Sequence, residues 1–349
     1  MQLFLIGRRG SVAMNDDALY LKIQQLMDRS IGAPTNIEIT NLELNHEGFS
    51  SEIAMFHLKY GRNGEEVLLD AVLKDYSKSH KVSSEAKYTK ELAIITSSIV
   101  KLNLNVPKVY FADEATKVVL MEKVSGSTLD KALRNETSGF SKMIRLFGSS
   151  LARIHSLDIA TMQKLISDDE DVNPRTHLFN YINLLRTRIM KFGELEYLEI
   201  LDTLCERFEA VTFNDICFNH GDYHFLNVVL TESDELFVLD WENAKITDPR
   251  FDLARTLVHS TSWFGIHFRE PFLAAYTSFT NKEIPHMDVF EALLSFDSFT
   301  KHLELFNGSD DSHIIDRSFM WLKRRYDYFV EKNGQRMQKA EAYFESKGF

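Results

Sequence analysis

Hydrophobic and polar positions alternate at a period of two through much of the first third of the chain, and a helical period dominates after it. Ala18 to Met27 places Leu19, Ile23, Leu26 and Met27 on one helical face. Ile37–Leu44 alternates at a period of two, and Ile53–Tyr60 and Val67–Lys74 read as further strands, joined across Gly61-Arg62-Asn63-Gly64. Such short connections make the three strands antiparallel neighbours. Ser83 to Leu102 predicts a helix with Leu92, Ile95, Ile99 and Leu102 recurring at helical spacing and Ser83 or Ser84 as its cap. Val106–Phe111 and Lys117–Glu122 complete a five-stranded sheet. From Ser141 onward the pattern is helical. Met143, Leu146, Phe147, Leu151 and Ile154 form one stripe, helices are predicted over 176–192 and 194–213, and 269–345 is helical and rich in Phe and Tyr. The pattern predicts an α+β chain, with an antiparallel sheet first and a mainly helical part after it.

One stretch interrupts the helical half. His220-Gly221-Asp222-Tyr223-His224-Phe225-Leu226-Asn227 is a polar loop running into the apolar Val228-Val229-Leu230. Leu236-Phe237-Val238-Leu239 is a second apolar run and ends on Asp240-Trp241-Glu242. The intervening Thr231-Glu232-Ser233-Asp234-Glu235 predicts a hairpin. That hairpin brings Asp222, Asn227 and Asp240 to one end of a small sheet. Two carboxylates and an amide are hard oxygen donors, a set suited to Mg²⁺, which takes few protein ligands and shares the rest with water and phosphate.

Charge and composition narrow the classes. A net charge of −11 and a pI near 5.6 argue against a nucleic-acid binder, which usually carries a basic face. The two cysteines, Cys205 and Cys217, form no framework, which makes a reducing cytoplasm the expected compartment. The apolar run Leu3-Phe4-Leu5-Ile6 is too short for a signal core or a span, and Arg8-Arg9 follows it rather than preceding it. No run approaches the length of a membrane helix.

The spacing is that of a kinase catalytic loop. Asn227 lies five residues after Asp222, and Asp240 follows at thirteen beyond that, after a hairpin. His-Gly-Asp stands where protein kinases carry His-Arg-Asp, and Asp-Trp-Glu stands where they carry Asp-Phe-Gly. With Thr247-Asp248-Pro249-Arg250-Phe251-Asp252-Leu253-Ala254 beyond it, this stretch resembles the aminoglycoside phosphotransferase and choline kinase family, strongest from His220 to Ala254. The resemblance implies a bilobal protein-kinase-like fold. Residues 1–29 form an arm and a short helix, 30–122 a nucleotide-binding lobe, and 123–349 a catalytic and substrate-binding lobe.

The same resemblance implies site residues. Lys74, at the end of Ala-Val-Leu-Lys, pairs with the α- and β-phosphates of the nucleotide and with a helix glutamate. Glu85 and Glu91 both lie on the following helix. Glu91, four helical turns before Pro107, is preferred. Gly48, Ser50 and Ser51, in the hairpin between the first two strands, lie near phosphate. The backbone of Glu122 and Val124 reads the base, with Met121 behind the ring. Asp222 is the catalytic base, Asn227 and Asp240 hold Mg²⁺, Asp252 braces the catalytic loop, and His155 is a packed neighbour of that loop. Glu242 either faces a second metal or a cationic substrate, or lies at the surface. The implied reaction moves the γ-phosphoryl of ATP or GTP to a hydroxyl of a small molecule: an aminoglycoside, choline or ethanolamine, or a sugar. No nucleic-acid or membrane partner is expected. The alternatives are a protein kinase, against which the missing Asp-Phe-Gly and Ala-Pro-Glu segments speak, and a non-catalytic nucleotide-binding protein.

Overall fold

A computed structural model describes residues 16–32, 34–45, 51–77, 81–135, 139–166, 172–307 and 312–346. In chain order the first elements are α1 (Asp16–Ile31), β1 (Thr35–Asn45), β2 (Glu52–Arg62), β3 (Glu65–Asp75), α2 (Lys81–Thr96), α3 (Ser98–Asn103), β4 (Val109–Asp113), β5 (Val118–Glu122) and β6 (Ser127–Thr128). There follow α4 (Leu129–Asn135), α5 (Phe140–His155), α6 (Ile159–Ile166), α7 (Pro174–Met190), α8 (Leu195–Glu209), β7 (Cys217–Asn219), β8 (Val228–Leu230), β9 (Leu236–Val238) and β10 (Lys245–Thr247). The last are α9 (Arg250–Phe264), α10 (Arg269–Thr280), α11 (Met287–Asn307), α12 (Ser312–Asn333) and α13 (Gln338–Ser346). The chain divides into two compact units. One holds Met1–Thr128, Leu165–Ser167 and Val228–Asn243; the other holds Leu129–Lys164, Asp168–Asn227 and Ala244–Phe349.

The first unit is built on a five-stranded antiparallel sheet in the order β1-β2-β3-β5-β4. Side chains alternate across it. Ala54, Phe56, Leu58 and Tyr60 of β2 and Ala71 and Leu73 of β3 point to one face, where Leu19, Ile23, Leu26 and Met27 of α1 cover them. Lys74 is one residue out of phase with that set and belongs to the other face, opposite Val119 of β5 and Ile53 of β2. The helix expected over Ser83–Leu102 is two helices. Ser97 takes an extended conformation (φ −61°, ψ 130°) between α2 and α3. Just before it, the Thr96 hydroxyl donates back to the carbonyls of Leu92 and Ala93, the local competition that weakens Ser and Thr inside helices. The hairpin is present, with Val228 opposite Val238 and Leu230 opposite Leu236. Its outer neighbour β6, a two-residue strand, carries no periodicity and was not legible.

The second unit is mainly helical. Helix α5 packs on α10, and α11 packs on α12 and α9. Gly148 permits the α5–α10 approach, because a Cβ there would lie 2.7 Å from the Phe272 carbonyl. The short ribbon of β7 with β10 pairs Asn219 with Lys245 and Cys217 with Thr247, and so frames the polar loop that starts at His220. Among the described residues, no helix is long and apolar enough to cross a membrane.

Candidate active site

In the first unit the site is centred on Lys74. Lys74 is 5% exposed, and its ammonium donates to Glu91 Oε2 and Asp240 Oδ1, each at 2.6 Å, and lies 3.8 Å from Glu242. Glu91 lies on α2, ten residues into the helix, and also accepts from the Tyr76 hydroxyl. Glu85 pairs instead with Lys117, at 3.2 Å. Burial opposes the charge on Lys74, but Glu91 and Asp240 outweigh it and hold its pKa well above the usual value. Burial raises the Glu91 carboxyl, and Lys74 opposes that rise.

Glu242 is buried, 5% exposed, which excludes the surface reading of this residue. Its Oε1 accepts from Lys87 at 2.9 Å, and its Oε2 has no hydrogen-bond partner. Carboxylate oxygens of Glu91, Asp240 and Glu242 lie within 4.8 Å of one another. Lys74 and Lys87 leave this group of three carboxylates one negative charge in excess. A divalent cation reverses that sign and makes the place attractive to phosphate, so the donor set suits Mg²⁺. Asp240 itself sits at φ 66°, a left-handed backbone that a non-glycine residue seldom takes and that is typically kept at functional positions.

Of the remaining nucleotide-side expectations, Gly48 and Ser50 lie outside the described residues, and Ser51 is buried. The Glu122 N–H donates to the Lys108 carbonyl at 2.8 Å, and the Glu122 carboxylate accepts from the Lys108 N–H at 3.0 Å. That N–H is therefore already engaged. Val124, two residues on, is half-buried.

In the second unit, β7 delivers the His-Gly-Asp loop. Gly221 stands at φ 82°, which a side chain would strain, and this turn aims the backbone at Asp252. Asp252, in the first turn of α9, accepts from the N–H groups of His220 (2.6 Å) and Gly221 (2.8 Å), and lies 3.3 Å from His155 Nε2. Burial works against its charge, but these partners hold its carboxyl below the ordinary range. His155 is buried, with its other nitrogen 2.7 Å from the Tyr276 hydroxyl. The brace implied for Asp252 and the packing implied for His155 are thus visible as bonds. Asp252→Asn removes a charge shared by two backbone donors and is expected to destabilise the protein by about 3 kcal/mol, measured by urea unfolding.

Asn227 closes the loop, its Nδ2 donating to the Asp222 carbonyl at 3.0 Å. The amide oxygen is thereby left as the atom a cation would meet. Asp222 is half-buried, 3.6 Å from His224 Nε2 and 3.7 Å from Arg255 Nη1. Burial disfavours its charge, but His224 and Arg255 prevail and hold the carboxyl far below the usual range. Arg255 and Lys87 were missed in the sequence, although local signals exist. Arg255 is three residues after Asp252 and Lys87 four before Glu91, spacings that share a helix face.

Residues 43–291 match the phosphotransferase enzyme family, which is most of the chain. This chain belongs to that family. No curated protein matches its sequence. Among solved structures, an ethanolamine kinase from Plasmodium vivax superposes with a TM-score of 0.61 at 15% identity, covering 92% of this chain and 93% of that one. The ternary complex of APH(2″)-IIa with streptomycin and ATP gives 0.58 at 18% identity, covering 91% and 99%. The GDP complex of wild-type aminoglycoside 2′-phosphotransferase-IIIa gives 0.60 at 15% identity, covering 87% and 97%. At these identities the likeness shows the fold, and the phosphotransferase family member described here has the protein-kinase-like fold that its sequence implied.

Proposed function

We propose that this protein transfers the γ-phosphoryl of ATP or GTP to a hydroxyl of a small molecule. The observation that carries the proposal is the buried Lys74, held between Glu91 on a helix and Asp240 after the hairpin. In this reading Lys74 positions the non-transferred phosphates, with Glu91 fixing its ammonium. Asn227 and Asp240 would hold Mg²⁺, and Glu242 lies close to Asp240. The cation neutralises charge spread over the transferring group. The backbone of Glu122 and Val124 meets the base, and Ser51 lies along the phosphates.

Asp222 accepts a hydrogen bond from the acceptor hydroxyl and orients it. The new bond joins that oxygen to the γ-phosphorus as the bond to the β,γ-bridging oxygen breaks, and the nucleoside diphosphate leaves. A carboxylate held far below the usual range is a weak proton acceptor but is always ionised at neutral pH. It therefore suits orientation first, with the proton passing late in a loose transition state. The related structures bound to ATP and GDP support a nucleotide donor, and the ethanolamine kinase supports a small acceptor. The two unbridged cysteines support a cytoplasmic location.

Asp240→Ala tests the metal assignment. It is expected to abolish Mg²⁺-dependent nucleotide binding, read by isothermal titration with and without Mg²⁺. Unchanged Mg-ATP affinity contradicts the role of Asp240. Glu242→Ala is expected to lower turnover less than Asp240→Ala; an equal loss makes Glu242 a direct ligand.

A further inference from the structure

The polar groups beside Asp222 do not pair off. Asp297 on α11 is 3% exposed and accepts from Arg188 Nη1, Lys301 Nζ and the Tyr181 hydroxyl, each at 2.6 Å. Two cations and a phenol hydroxyl thus share one carboxylate, which acts on Arg255 and Arg325 only from farther away. Glu304 lies 3.9 Å from Arg188 but is half-exposed and screened. Two guanidinium groups remain. Among the described residues Arg255 makes no hydrogen bond to a carboxylate, and it faces Asp222 at 3.7 Å. Arg325 on α12 is 7% exposed, donates to the Ser298 hydroxyl, and leaves its Nε without a partner among the described residues. No carboxylate pairs with it there. Asp252 acts on Arg255, but its oxygens are taken by the loop N–H groups and His155.

A buried guanidinium without a directly paired carboxylate is costly and is held in place by the rest of the fold. The cost is visible in the neighbours. Burial and then Arg255 push Arg325 down to about 10, against Asp297. Burial and then Arg325 push His302 down to about 3, and the same two causes lower His259. The imidazoles are neutral and the arginines carry the local field.

Resting on the phosphotransferase reading above, we propose that Arg255 and Arg325 bind an anionic group of the acceptor, a carboxylate or a phosphate, and so present a neighbouring hydroxyl to Asp222. The two sources share one chemistry, a planar or tetrahedral oxyanion matched by guanidinium donors. A cationic acceptor fits poorly. Among the described residues the buried acids of this region, Asp252 and Asp297, are engaged by protein donors. The nearby indoles are engaged too: Trp263 and Trp321 stack at 4.1 Å, with Arg134 over the first and Arg324 over the second. An open aromatic cage for a quaternary amine is not built there.

The test is isothermal titration of the full chain with glycerol 3-phosphate, D-glycerate, choline and kanamycin. Each titration is run alone and with a non-hydrolysable ATP analogue, and acceptor phosphorylation is followed in parallel. The two anions are expected to bind, and Arg325→Gln and Arg255→Gln to weaken them by about tenfold to a hundredfold, the effect of losing a charged hydrogen bond. The corresponding Lys variants are expected to recover part of the loss. If Arg325→Gln does not fold, Arg255→Gln, at a more exposed position, carries the comparison. The better-bound anion identifies phosphate or carboxylate as the group recognised. Failure of both anions to bind, binding unchanged in the Gln variants, or tighter binding of choline or kanamycin overturns the proposal. Transfer to the cationic acceptors alone keeps the phosphotransferase reading and sinks this one. Anion binding that depends on both arginines, with no transfer to any acceptor, does the reverse.

Discussion

Asp222→Asn is expected to leave nucleotide binding in place while kcat falls by about 10²–10⁴, the usual span for a positioned acid or base. Asparagine keeps the shape and one acceptor oxygen but loses the charge. The loop it sits on is anchored elsewhere, through Asp252 to the N–H groups of His220 and Gly221, so the fold has no reason to fail. Removing the charge also takes from Arg255 and His224 the carboxylate that each faces at 3.7 and 3.6 Å, which the variant's thermal stability will register. Folding is checked by circular dichroism and nucleotide affinity by titration. A folded variant with near-normal kcat contradicts the assignment.

Lys74→Met is expected to damage both stability and activity. It strips the ammonium from a pocket where Glu91, Asp240 and Glu242 carry oxygens within 4.8 Å of one another. Breaking a buried pair by removing one partner typically costs about 3–5 kcal/mol, because the remaining charge stays buried without compensation. Nucleotide KM is expected to rise and kcat to fall together, in contrast to Asp222→Asn. The double variant Lys74→Met with Glu91→Gln removes one stranded carboxylate and is expected to regain part of the stability and none of the activity. Urea unfolding of the wild type, both single variants and the double variant gives the coupling directly. A single variant as stable as the wild type shows that the network is not structural.

The legible parts of the fold were those written in periodicity. Strand β2 alternates from Ala54 to Tyr60, and α1 buries the four residues its spacing singles out. The break at Ser97 was not legible, because the apolar positions of α2 and α3 stay in helical phase across it while the backbone does not. Strand β6 is too short to show a period. Lys74, Glu91 and Asp240 could be named because the family resemblance maps onto a strand end, a helix turn and a hairpin end, each of which leaves a mark in one dimension. Arg325 and Asp297 could not. Their significance lies in which cations find acids across α7, α11 and α12, and nothing local in the sequence distinguishes a shared carboxylate from an open one. Glu242 was ambiguous for the same reason: its burial comes from the short turn Trp241–Asn243 lying against α2.

Phosphorus NMR of the full chain with Mg-ATP or Mg-GTP and a panel of small hydroxyl compounds tests the central claim most directly. The account predicts a new phosphomonoester resonance that grows as the γ-phosphate signal is lost, requires the acceptor, and disappears in Asp222→Asn. A γ-phosphate that stays on the nucleotide with every acceptor, or that appears only as inorganic phosphate at a rate indifferent to acceptor and to Asp222, contradicts it.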